Sequence, residues 1–152
     1  LLNRETEETP MIPTIEQFMT PAPHCIDGDR PLSAADELMR AHGVRHLPVR
    51  RGDEIVGLVS RHDLDRAEAA RDTRRLYTPI SDVMQPAPFE VAPEAHLTDV
   101  VRMMAENRWG AALVRSGERI VGIFTSVDAA RVLADLVEQV TREDGERRAS
   151  AG

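Results

Sequence analysis

Residues 15–64 can be laid on residues 80–129 without a gap, and at that offset of 65 fourteen positions are identical. Average residue usage would give about three or four by chance. The identical positions are Ile15, Met19, Pro21, Ala22, Pro23, Leu32, Met39, Val49, Arg50, Gly52, Ile55, Val56, Gly57 and Asp63, each with its partner. Many differences are conservative, as in Ser60 with Thr125 and Leu58 with Ile123. Such a chain is two copies of one supersecondary unit. A unit of about 50 residues is too small to bury a proper core alone, so the copies are expected to face each other.

Each copy reads as the same series of elements. A short helical turn carries Ile15, Phe18 and Met19, or Ile80, Val83 and Met84, and prolines then stop it. A brief strand follows at 24–26 or 89–91. Next comes an amphipathic helix, with Leu32, Ala35, Leu38 and Met39 on one face, or Leu97, Val100, Met103 and Met104. Two strands then flank a glycine turn, at 46–50 and 54–60, or 111–115 and 119–125. The runs Ile55–Val59 and Ile120–Phe124 are almost wholly apolar, which predicts strands buried on both faces. A closing helix is expected over 61–76, doubling as linker, and over 126–140, with a charged tail fraying from Thr141. The predicted fold is α+β, with the order helix, strand, helix, strand, strand, helix occurring twice about a pseudo-two-fold axis. A flexible arm is expected over 1–13, repeats over 14–66 and 79–136, a helical linker over 67–78, and a helix end with charged tail over 137–152.

Composition removes several function classes. All nineteen basic side chains are arginine, which excludes Schiff-base and P-loop lysine chemistry. The net charge of -7 argues against nucleic acid as a partner. The single cysteine, Cys25, excludes an intrachain disulfide and a cysteine-rich zinc site, and suits a cytoplasmic setting. No apolar run reaches the ~18 residues a membrane span needs, and Leu1–Pro10 does not read as a signal peptide. Residues 40–75 nevertheless hold nine arginines against six acids, a basic island in an acidic chain.

The pattern Gly-x-x-[Ser/Thr]-x-x-Asp occurs at Gly57–Asp63 and at Gly122–Asp128. It is a strand that delivers its end to a helix N-terminus, where free N–H groups and the helix dipole favour an anion. Ser60 or Thr125 can then assist a phosphate, and Asp63 or Asp128 can accept hydrogen bonds from ribose hydroxyls. The same spacing is also that of a helix capping box, and the two roles are compatible.

The doubled element order, with Met19-Thr20-Pro21, His46-Leu47-Pro48-Val49 and Ile55-Val56-Gly57-Leu58-Val59-Ser60-Arg61-His62-Asp63, resembles the CBS domain pair, or Bateman module. The second copy carries Asp82-Val83-Met84 and Ile120-Val121-Gly122-Ile123-Phe124-Thr125-Ser126-Val127-Asp128. The resemblance covers residues 14–136. It implies a non-enzymatic regulatory module that binds an adenine nucleotide, AMP, ADP or ATP, or else S-adenosylmethionine, with no obligatory cofactor. It also implies a disc-like homodimer that signals to an effector protein on another chain. The implied nucleotide-binding residues are Thr20, Ile26, Arg45, His46, Ser60, Arg61, Asp63, Val91, Gly110, Ala111, Thr125 and Asp128. Copy two has Trp109-Gly110-Ala111 where copy one has Val44-Arg45-His46, so copy one is expected to be the phosphate-facing half.

The rival reading is a ligand-free dimeric scaffold whose Ser/Thr-x-x-Asp elements are only caps. Weaker candidates are a metal held by His42 and His46, and Trp109 stacking on a base rather than serving as core or interface. Cys25 reads as inert packing, because no activating base stands near it in sequence.

Overall fold

The computed structural model describes residues 11–70 and 77–152. The first repeat contains β1 (Thr20–Pro21), β2 (Ile26–Asp27), α1 (Leu32–His42), β3 (His46–Arg51), β4 (Glu54–Ser60) and α2 (Arg61–Ala69). The second contains β5 (Gln85–Pro86), β6 (Glu90–Val91), α3 (Leu97–Asn107), β7 (Ala111–Ser116), β8 (Arg119–Thr125) and α4 (Ser126–Ser150). The opening turns are 3-10 helices, Ile15–Gln17 and Ile80–Asp82.

Among the described residues the strands form two four-stranded sheets, ordered β1-β8-β7-β6 and β2-β3-β4-β5. The opening strands are exchanged between the repeats. Thr20 and Pro21 of repeat one pair with Ile123 and Gly122 of repeat two, while Gln85 and Pro86 pair with Leu58 and Gly57. The preceding turns cross as well. Ile15 is fully buried with Val100, Met104 and Phe124, and Ile80 with Leu32, Met39 and Leu64. Neither half has a core built only from its own sequence.

This exchange explains several of the identities. Each crossing strand passes directly over a glycine of the sheet it joins. A Cβ on Gly57 would run into the Met84 sulfur and lie 2.9 Å from the Gln85 carbonyl oxygen. A Cβ on Gly122 would meet Met19 in the same way and lie 3.1 Å from the Thr20 carbonyl oxygen. The paired Met and Gly identities are therefore one contact, made twice. Gly52 and Gly117 have positive φ in the two-residue β3–β4 and β7–β8 loops, which glycine adopts without a Cβ penalty.

The apolar strands are buried on both faces, as their composition predicts. Val59 packs under α1 and α2, while its neighbour Leu58 faces Ala111, Leu113 and Ile123 between the sheets. Other expectations shift. The first short strands begin at Ile26 and Glu90, because pairing with β3 and β7 starts only there. Met103 is 41% exposed and lies off the buried stripe that Val100 and Met104 form. The helix expected over 61–76 runs from Arg61 to Ala69, and 71–76 lie outside the described residues, as do 1–10.

The largest change is α4, which continues to Ser150 instead of fraying from Thr141. Side chains spaced four apart support the extension. Arg142 pairs with Glu138 at 3.6 Å, Gln139 donates to Glu143 at 3.2 Å, and Arg147 and Arg148 complement the C-terminal end of the dipole.

Gly57→Ala and Gly122→Ala should each destabilise the fold by about 1–3 kcal/mol through overpacking of the crossing strand. Gly145→Ala on α4, where a Cβ meets nothing within 4 Å, should stabilise by up to about 1 kcal/mol. Urea unfolding midpoints of the three variants check the opposite signs.

Candidate functional site

The polar ends of β4 and β8 enter the helices that follow through matched capping boxes. Ser60 Oγ accepts from the Asp63 N–H at 3.2 Å, and Asp63 Oδ2 accepts from the Ser60 N–H at 2.8 Å and from its hydroxyl at 2.7 Å. Thr125 and Asp128 repeat this at 3.4, 2.8 and 2.9 Å. The cap is therefore real in both copies. The second carboxylate oxygens differ. Asp128 Oδ1 accepts from Arg131 at 3.4 Å, whereas among the described residues no hydrogen bond engages Asp63 Oδ1.

Asp63 opens onto a cleft of about 1320 Å³. One wall is the start of β3, the end of β4 and the start of α2, which bring Arg45, His46, Ser60, Arg61 and Asp63. The other wall comes from repeat two. It includes Phe89, whose carbonyl accepts from the Leu113 N–H, and Asn107 through Ala111, where α3 ends and β7 begins, while Gln85 of the exchanged opening segment lies beside β4 on the first side. Seven residues expected at the site thus share one cleft: Arg45, His46, Ser60, Arg61, Asp63, Gly110 and Ala111.

The remaining five do not line it. Thr20 pairs with Ile123 in the other sheet, on the strand that leads to Thr125 and Asp128. Those three belong to the pseudo-symmetric junction of repeat two. Ile26 is 6% exposed within the first core, and Val91 packs against the second. Sequence reasoning missed Gln85, Phe89, Arg66 and Arg108. Gln85 was within reach, since it is the partner of Thr20 at the repeat offset, but only the strand exchange places it beside β4, in the cleft of Asp63 and not with Asp128.

The cleft's charges are only partly committed. Arg61 is tied to Asp36, which also pairs with Arg40 at 3.2 Å. Glu90 is held by Arg115 at 2.5 and 2.8 Å. Among the described residues no ion pair engages Arg45, Arg66 or Arg108. An aromatic wall stands beside them: Phe89 stacks on Trp109 with centroids 4.7 Å apart and planes inclined by 27°. Trp109 is half-buried and lines the cleft rather than the core.

His46 packs against Gly110, where a Cβ would sit 3.1 Å from its Nε2. Burial pushes the imidazole pKa down, Asp63 opposes this, and Arg45 adds to the depression. His42 lies elsewhere, stacked on His24 at 3.6 Å, so the two do not converge on a metal. Among the described residues no three His, Cys, Asp or Glu side chains gather as metal ligands. Burial raises the pKa of Cys25, in keeping with an inert thiol.

Two interlocked repeats whose strand-to-helix junctions open on a shared cleft define a tandem repeat-pair fold. The chain belongs to the CBS domain family, which matches residues 15–70 and 80–135. It is similar in structure to AcuB of Vibrio cholerae, a protein assigned to acetoin utilization. The TM-score is 0.75 at 28% identity, over 87% of this chain and 98% of that one. It is also similar to CBSX2 in complex with AMP, with a TM-score of 0.67 at 27% identity, over 81% and 97% of the two chains. In sequence it is 33% identical over 96 residues to inosine-5'-monophosphate dehydrogenase of Korarchaeum cryptofilum, 62% of this chain but 19% of that enzyme. The chain spans less than a fifth of the length of the curated relatives it matches. Among the described residues no helix is long and apolar enough to cross a membrane.

The His46 shift has a consequence for stability. Below its ordinary pKa of about 6.5 the unfolded chain's imidazole takes up a proton that the folded state resists. The contribution is absent above that pH, and the fold loses stability as pH falls toward the depressed value. Urea midpoints between pH 7 and 5 should fall less steeply for His46→Gln than for the parent, and equal slopes would remove His46 from the effect.

Proposed function

We propose that the chain is a non-enzymatic regulatory module that binds an adenine nucleotide in the cleft beside Asp63 and passes the bound state to a partner protein. The observation that carries this reading is one cleft that holds an aromatic wall, Asp63, whose Oδ1 no hydrogen bond engages among the described residues, and Arg45, Arg66 and Arg108, which no ion pair engages among them. A ribose can donate to Asp63 Oδ1, phosphate can meet the guanidinium groups, and a base can lie against Phe89 or Trp109. The AMP complex of CBSX2 supports the ligand class. Because the cleft draws on both repeats, a ligand would bind best where they stand in one relative position, and would shift the population toward it.

The expected homodimer has a candidate face. No residue of α4 is buried, and Leu133, Leu136, Val137 and Val140 are 54–62% exposed at helical spacing. A second copy of the chain would cover this stripe, and Leu136→Glu should convert a dimer to a monomer in analytical ultracentrifugation.

Calorimetric titration with AMP, ADP, ATP and S-adenosylmethionine tests the ligand. Asp63→Ala and Asp128→Ala should each cost about 1 kcal/mol of stability as lost cap partners. Asp63→Ala alone should also abolish binding in this cleft. Equal loss in both variants, or no binding by the parent at millimolar ligand, leaves the caps as the whole role of these residues.

A further inference from the structure

The repeat supplies an internal control for the cleft's charge. At the offset of 65, Arg45, Arg61 and Arg108 correspond to Gly110, Ser126 and Gly43. Arg66 corresponds to Arg131, which is committed to Asp128 at 3.4 Å. The scaffold is therefore satisfied with small or paired residues at all four positions. The Asp63 cleft instead gathers four arginines, and among the described residues an ion pair engages just one of these four, Arg61.

Arg108 is the most informative of them. It caps α3 in the left-handed conformation, with φ of 57°, where Gly43 caps α1 at 63°. Glycine adopts this conformation freely, whereas a residue with a Cβ is strained there. Glycine would serve that cap with less strain, yet the residue there is an arginine that lines the cleft. The cations are also spread out. Arg66 lies six residues beyond Ser60 along α2, a rise of about 9 Å. Arg108 reaches in from the other repeat.

A monophosphate carries roughly −1.5 to −2 charge on one compact group, which suits a single focus of cations. Spread guanidinium groups suit a chain of phosphoryl groups, each offering oxygens to a fork of donors. Resting on the nucleotide reading above, we infer that this cleft selects a polyphosphate, a nucleoside di- or triphosphate over the monophosphate, through Arg45, Arg66 and Arg108. The bound polyphosphate bridges the repeats, because Arg108 belongs to repeat two and the other two arginines to repeat one.

The test is titration of the full chain with adenosine, AMP, ADP, ATP and inorganic tripolyphosphate. Affinity is expected to rise in the order AMP, ADP, ATP, with tripolyphosphate competing for the same cleft. Arg66→Ala and Arg108→Gly should each weaken ATP by about tenfold and leave adenosine unchanged. Arg108→Gly should at the same time raise the thermal unfolding midpoint, so that weaker binding cannot be ascribed to a damaged fold. AMP binding as tightly as ATP, or the variants weakening adenosine and ATP alike, overturns the inference while leaving the nucleotide reading in place. Tripolyphosphate binding with no adenine ligand bound sinks the nucleotide reading and, with it, the selection of a nucleoside di- or triphosphate. Binding of neither sinks both.

Discussion

The crossing of each opening strand over a glycine of the opposite sheet is the contact on which the rest of the structure depends. It places Ile15 in the second core and Ile80 in the first, so folding either half requires the other. The close approach of Met84 to Gly57 and of Met19 to Gly122 fixes the register of β5 on β4 and of β1 on β8. Any side chain at either glycine forces the crossing strand away and opens the sheet edge it completes. The same crossing brings Gln85 beside β4 and into the cleft that Asp63 lines, so the device that joins the repeats also helps build the cleft between them.

On this symmetric frame the two strand-to-helix junctions have taken different characters. The capping geometry is nearly the same in both, which is expected where a box of hydrogen bonds must satisfy buried-end N–H groups. The divergence lies in side chains that the frame does not need. Arg131 donates to Asp128 Oδ1, while among the described residues no hydrogen bond engages Asp63 Oδ1. Glycines stand where the Asp63 cleft has Arg45 and Arg108. The capping box thus uses one carboxylate oxygen of each aspartate, Oδ2, and leaves the other outside it.

Much of this was legible from residue order. The repeat offset gave the number of units, and alternating periodicities gave their elements, because burial on one face imposes spacing that a sequence records. The double burial of Leu58 and Val59 was readable from an unbroken apolar run. The α4 extension was not, since its last turns bury nothing and rest on pairs such as Glu138 with Arg142. Periodicity has no purchase on a helix without an apolar face in that stretch. The strand exchange was also hidden, because two-residue strands such as β1 and β5 carry no pattern that names their partner.

The sequence by itself determined a doubled α+β unit, its glycine turns, its Ser/Thr-x-x-Asp caps and the excess of arginine in the first copy. These are local or periodic properties, set by the conformations and burial of near neighbours. Only the tertiary structure decided which opening strand joins which sheet, and hence that Gln85, Phe89 and Arg108 of repeat two share a cleft with Asp63 of repeat one. It also decided which arginines are tied to an acid, since Asp36 and Arg61 lie 25 residues apart and meet only through packing. Contacts of that kind depend on where whole elements come to rest, and no local pattern records it.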